Sequence, residues 1–202
     1  ILTFILILAG CNDNSGMINE NTGETFSKDI SNLQEAKKPD IVELKDGDTY
    51  NLTTEIIKKE IGNKEVKMLG YNGSVPGPFI KVEQGSEITI NFTNNTDVPT
   101  TIHSHGIRLD NEFDGVPGVT QEEVKVGESF TYKIKFLDQG IYWYHPHIRE
   151  DYAQELGLYG NYIVESSDKN YWNKVNKEIP LFIDDILLDE NGDIESFPKD
   201  IV

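Results

Sequence analysis

Ser129-Phe130-Thr131-Tyr132-Lys133-Ile134-Lys135-Phe136 alternates without a break. Phe130, Tyr132, Ile134 and Phe136 fall on one side, and Ser129, Thr131, Lys133 and Lys135 on the other. Period two marks a half-buried strand, because successive side chains leave a pleated backbone on opposite faces. Glu87–Thr93 repeats the pattern with Ile88, Ile90 and Phe92. Further strands are expected at Ile41–Lys45, Tyr50–Lys58, Glu65–Tyr71, Phe79–Glu83, Thr100–His105, Gly140–His145 and Gly160–Glu165. Turn clusters separate them: Asn72-Gly73, Pro76-Gly77-Pro78, Asn94-Asn95, Pro117-Gly118 and Asp138-Gln139-Gly140. Many short strands at this spacing predict an all-β antiparallel sandwich over residues 40–168.

Two of those strands carry three of the chain's four histidines, and the fourth, His147, follows two residues after the second. They form two H-x-H pairs, His103 and His105 in Thr-Ile-His-Ser-His-Gly, and His145 and His147 in Tyr-Trp-Tyr-His-Pro-His. Residues two apart on a strand share a face, so each pair can aim two imidazoles at one spot. One such pair is commonly an incidental surface feature. Two pairs, each in an apolar aromatic strand and with no other histidine in the chain, point to a metal site. Imidazole suits copper, zinc, iron and nickel, so the pattern names a site and leaves the metal open.

The chain has 202 residues, 37% hydrophobic, with 18 Lys and Arg against 35 Asp and Glu, a net charge of −17. That balance leaves no basic stripe for phosphates and argues against a nucleic-acid partner. The opening Ile-Leu-Thr-Phe-Ile-Leu-Ile-Leu-Ala-Gly-Cys is too short to span a bilayer as a helix. It resembles the apolar core of a secretory signal with its start missing, over residues 1–11. Leu8-Ala9-Gly10-Cys11 resembles a bacterial lipobox, so Cys11, the single cysteine, is the expected lipidation site. Export and lipid anchoring to a bacterial membrane, on its periplasmic or cell-surface side, follow as expectations. Residues 12–39, rich in polar residues and poor in aliphatics, read as a flexible tether. Residues 169–179 read as a linker. Ile179-Pro180-Leu181-Phe182-Ile183-Asp184-Asp185 reads as the first strand of a further domain over 180–202.

With these residues in view, the chain resembles the first domain of a multicopper oxidase, the laccase-like family of tandem cupredoxin domains. The likeness runs from about Glu65 to Asp185. Asn72-Gly73, Pro76-Gly77-Pro78, Ile80, Gly85 and Asn91 match the family's opening pattern. His103-Ser104-His105-Gly106 resembles its first ligand motif and His145-Pro146-His147 its second. Gln154 and Gly157-Leu158-Tyr159-Gly160 resemble the turn that follows. Two positions depart from it: Ser104 stands where the family usually has Trp, and Pro146 where it usually has Ser. Both intervening side chains should point away from the metal, so ligation should survive either change.

The resemblance implies a Greek-key cupredoxin sandwich and a trinuclear copper cluster shared between the first and last domains. His103 would bind the type 2 copper, and His105, His145 and His147 the type 3 pair. Asp114 matches a family acid that helps deliver protons to bound oxygen. It also reads as a plain turn aspartate before Gly115, with Asp110 and Glu112 as neighbouring alternatives. A type 1 copper needs a cysteine thiolate with two histidines, and none is free here, so that site is expected outside this stretch. The implied activity is oxidation of a donor, a phenol, aromatic amine or reduced metal ion, coupled to reduction of dioxygen to water. The implied partners are dioxygen, the donor and a C-terminal cupredoxin domain. A different class stays open: a copper-binding cupredoxin lipoprotein without oxidase chemistry. Copper nitrite reductase shares the fold, but its type 1 cysteine and histidines fit this sequence poorly. Tyr142, Trp143 and Tyr144 read as packing around the second pair. Arg149, Glu150, Asp151 and Glu155 follow His147 on a helical loop, and read either as a solvated charge cluster or as the source of a carboxylate that orients an imidazole.

Overall fold

The computed structural model describes residues 23–200; Cys11 and the signal-like run lie outside them. Ten strands and one short α-helix follow in order, with a single 3-10 turn at Asn111–Phe113 between β7 and β8. They are β1 (Gln34–Glu35), β2 (Ile41–Glu43), β3 (Thr49–Ile61), β4 (Lys64–Tyr71), β5 (Phe79–Glu83), β6 (Glu87–Asn95), β7 (His103–His105), β8 (Ser129–Lys135), β9 (Gly140–His145), α1 (Glu150–Ala153) and β10 (Gly160–Glu165). One five-stranded sheet runs β1-β3-β6-β8 with β4 also on β3, and the other runs β2-β5-β10-β9-β7. Their facing sides hold the core. Leu52, Ile88, Ile90, Phe92, Tyr132 and Ile134 come from the first sheet, and Ile80, Val82, Tyr144, Tyr162 and Val164 from the second, all buried. On β8 the alternation holds: Tyr132 and Ile134 are fully buried, Phe130 partly, and Ser129, Thr131, Lys133 and Lys135 are exposed.

Three expectations are corrected. The sandwich is mixed rather than antiparallel, since β3 pairs β6 in parallel and β5 pairs both β2 and β10 in parallel. Parallel neighbours need crossover connections, and alternation within a strand carries no information about its neighbour's direction. The expected strand Thr100–His105 shrinks to His103–His105. Thr100 instead pairs with Val124, and the Ile102 N–H donates to Tyr132 Oη at 2.9 Å, so this segment reaches toward the first sheet before β7 begins. Ile179–Asp185 forms no strand, as no backbone ladder reaches it among the described residues. It is held by side chains, with Phe182 stacked on Tyr159 at 4.4 Å.

The tether reading also changes for its described part. Phe26 is buried, stacked on Tyr152 with ring centroids 3.8 Å apart and planes 7° apart. Buried Lys67 donates to the Ser27 carbonyl at 2.8 Å, Asp97 Oδ2 at 2.6 Å and Tyr152 Oη at 2.8 Å. All three ammonium protons are thereby used, which is the condition for keeping a charge in the interior. One aromatic ring and one lysine pin a stretch whose composition is otherwise that of a loose chain.

The Tyr132–Ile102 bond joins the core of the first sheet to the residue before His103. Tyr132→Phe leaves that N–H buried without a partner, a loss of about 1–3 kcal/mol. Denaturant unfolding should show a lower midpoint with an unchanged slope; an unchanged midpoint would mean the bond contributes nothing.

Candidate metal centre

The register between β7 and β9 assembles the histidines. His103 lies opposite His145, Ser104 opposite Tyr144, and His105 opposite Trp143. Directly opposed residues on one face stand about 4.5–5.5 Å apart at Cβ, near enough for their rings to converge. His103 and His145 have ring centroids 5.4 Å apart, and His105 and His145 5.6 Å. His147 lies past the end of β9, where its N–H donates to Thr101 Oγ1 at 3.3 Å. Its ring centroid is 4.6 Å from His103 and 5.2 Å from His145. Ser104 and Tyr144 turn the other way. Buried Ser104 Oγ lies 3.1 Å from Tyr162 Oη, and Tyr144 Oη donates to the Pro78 carbonyl at 2.7 Å.

An oxygen stands behind three of the four rings. His103 Nδ1 donates to the Asp114 carbonyl at 2.7 Å, with Asp114 Oδ1 at 3.3 Å. His145 Nδ1 donates to the Pro146 carbonyl at 2.9 Å. His147 Nδ1 pairs with Glu150 Oε1 at 2.6 Å. A proton committed to Nδ1 leaves Nε2 with its lone pair, the state a metal requires. Burial pushes His145 down to about 4; the Pro146 carbonyl acts in the opposite sense, and the other three imidazoles add to the lowering. His145 is therefore neutral at ordinary pH.

His105 differs. It is exposed, and its Nδ1 faces His145 Nε2 at 3.4 Å. Two lone pairs at that distance repel unless a proton or a cation lies between them. Two nitrogens about 2.0 Å from one ion at a tetrahedral angle would lie about 3.3 Å apart. Donor nitrogens of His103, His105 and His145 all fall within 4.8 Å of one another. An all-imidazole set of this kind fits copper or zinc better than a hard, oxygen-seeking cation. Trp143 backs the cluster, its ring stacked 3.8 Å from His145 at 16° and 5.3 Å from His105.

A sequence profile described as Multicopper oxidase matches residues 53–169, more than half of the chain. This chain belongs to the multicopper oxidase family. It is 39% identical over 114 residues to Multicopper oxidase MCE of Talaromyces pinophilus, covering 55% of this chain and 19% of that protein. It is 28% identical over 138 residues to Copper resistance protein A of Pseudomonas syringae pv. tomato, covering 68% and 22%. Among solved structures, a multi-copper oxidase from Pseudomonas thermotolerans aligns with a TM-score of 0.68 at 35% identity, over 77% of this chain and 36% of that one. The cupredoxin-like sandwich expected from the sequence is borne out by these matches. The chain spans about a fifth of the length of these two relatives.

Within this multicopper oxidase domain, His103, His105 and His145 bring donor nitrogens together, and the His147 ring lies beside them, 4.6 Å from that of His103, from a position past the end of β9. Pro146 sits just past β9, the strand-end position expected of a residue that cannot donate to a ladder. Asp114 reaches His103 chiefly through its backbone carbonyl. Two contributions were not resolved in the sequence. Trp143 was read as packing, and it packs on a histidine ring. Glu150 stood undistinguished among four charged residues.

Gly115 decides where Asp114 can sit. Its φ is +76°, and a Cβ there would lie 2.0 Å from the Ile102 carbonyl oxygen and 2.9 Å from the His103 nitrogen. Gly115→Ala should therefore push the Asp114 turn off β7, with a stability loss of more than about 1 kcal/mol. Chemical denaturation measures the loss, and faster solvent exchange of the His103 ring N–H reports the displaced carbonyl. A protected ring proton in the variant would contradict this account.

Proposed function

We propose that this chain is the N-terminal part of an exported multicopper oxidase that couples one-electron oxidation of a donor to four-electron reduction of dioxygen to water. The observation that carries the reading is the cluster of His103, His105 and His145 on one edge of the sandwich with the His147 ring beside it, three of the four rings with an oxygen behind Nδ1. Four ligands are half of what a trinuclear cluster takes in this family, so a C-terminal cupredoxin domain of the full-length chain, or a neighbouring subunit, supplies the rest. In this reading His103 holds the type 2 copper, and His105, His145 and His147 hold the type 3 pair. The type 1 copper and the donor site belong to another part of the protein. Cys11 carries a lipid that tethers the enzyme outside a bacterial membrane, on the periplasmic or cell-surface side. Within the described residues no helix is long and apolar enough to cross a membrane.

Bound copper supplies the one-electron redox chemistry. The chain's own residues hold it in place and manage protons. The Asp114 and Pro146 carbonyls keep the His103 and His145 imidazoles in the metal-binding tautomer. Trp143 covers one face of His145 and restricts its rotation. Dioxygen reduction consumes four protons with its four electrons. The Asp114 carboxylate, partly exposed beside His103, is placed to relay a proton between solvent and the cluster edge.

Oxygen uptake by the copper-loaded full-length protein tests this. His145→Ala should lower copper content and uptake by more than about 100-fold, beyond the usual effect of losing an outer partner. Asp114→Asn should keep its copper yet lose about 100-fold in oxygen turnover, the scale of one general acid. Normal turnover in Asp114→Asn would remove that residue from the chemistry. Copper binding with no oxygen uptake from phenols, aromatic amines or reduced metal ions would favour a copper-binding lipoprotein instead.

A further inference from the structure

We infer that Glu150 is a positioning residue: the turn at Arg149 brings its carboxylate onto His147 Nδ1 and holds that ring with Nε2 bare. The consequence for metal binding rests on the reading of His147 as a copper ligand; the hold on the ring does not.

The Glu150 contact, at 2.6 Å, is the shortest of those behind the rings, and its acceptor is a carboxylate rather than a peptide carbonyl. A charged acceptor makes a stronger hydrogen bond and a more basic imidazole than a neutral one. His147 also needs it most. The other three rings spring from β7 and β9 and inherit their aim from a backbone ladder, whereas His147 lies beyond the last paired residue.

Geometry explains how Glu150 gets there. Arg149 adopts φ 48°, ψ 50°, the left-handed region, which turns the chain back so that the first residue of α1 overlies the ring three positions earlier. The Arg149 side chain is spent on fixing this turn. Its Nε and Nη2 each donate to Asp151 at 2.9 Å, its Nη1 to the Lys199 carbonyl at 2.8 Å and its Nη2 also to the Pro198 carbonyl at 2.7 Å. Its guanidinium carbon lies 5.2 Å from the Phe26 ring centroid, and Phe26 in turn stacks on Tyr152 of α1. The acid is thus set by a braced turn, unlike a loose surface pair whose partners sample many rotamers.

The test uses the metal-free full-length protein labelled with 15N in its histidines, and reads the tautomers of His103, His145 and His147 from long-range proton–nitrogen correlations. In the native chain His147 should show Nδ1 protonated. Glu150→Ala should add the Nε2-protonated form at His147 and leave His103 and His145 unchanged. Glu150→Gln keeps a carbonyl acceptor and should restore the native tautomer. Cupric ion titration should then find Glu150→Ala about ten-fold weaker than the native chain, with Glu150→Gln between them. A native His147 tautomer in Glu150→Ala would overturn the inference. A shifted tautomer with unchanged copper affinity would uphold the hold on the ring, and would overturn the reading of His147 as a ligand.

Discussion

The register of β7 against β9 is the constraint on which this molecule depends. It sets His103 opposite His145 and His105 opposite Trp143 on the outward face, while Ser104 and Tyr144 close the inward one. Because strand side chains alternate, a slip of one residue would send the imidazoles into the core and the tyrosine into water. The inward residues prevent that slip. Ser104 bonds to Tyr162, and Tyr144 bonds to Pro78 while its ring meets Tyr71 and Tyr162 at 5.2 and 5.0 Å. Core packing and site assembly are two faces of one alignment.

The residues around the histidines share a design. Each of three rings has one nitrogen committed to an oxygen, and each of those oxygens belongs to a segment fixed for another reason: the Gly115 turn against Ile102, the Pro146 peptide at the strand end, and the braced helix start at Glu150. Donors arranged in advance do not have to be ordered when a ligand arrives, which favours tight and selective binding. His105 is left with Trp143 and His145 alone, exposed at the edge where a second ligand-bearing body would approach.

Much of this was legible in the sequence, for local reasons. Alternation located β6 and β8 closely, because a half-buried strand repeats every two residues whatever lies beside it. H-x-H spacing put His103 and His105 on one face of β7 by the same rule, whereas His147 lies past the end of β9. What escaped was non-local. The parallel partners of β3 and β5 are chosen by crossovers between sheets, and the anchoring of residues 24–28 depends on one phenylalanine meeting Tyr152 across the fold. The Ile179–Asp185 run has the composition of a strand, but a strand needs a neighbour to pair with. A carboxylate after His147 that orients an imidazole was one reading of the sequence, but which acid it is depends on the backbone angles of Arg149, which residue type does not reveal for any side chain larger than glycine.

The bracing of Arg149 carries a kinetic meaning. Phe26 stands near the beginning of the described chain and Pro198 and Lys199 near its end, and both reach the same guanidinium. Lys199 also pairs with Glu24, across 175 positions of sequence. Contacts between segments so far apart close the largest loops among the described residues, and such closures come late because their entropy is lost before any local gain offsets it. The strands bearing His103, His105 and His145 can therefore be laid down while synthesis is still in progress. The surroundings of His147 are completed only once the last of these residues has left the ribosome.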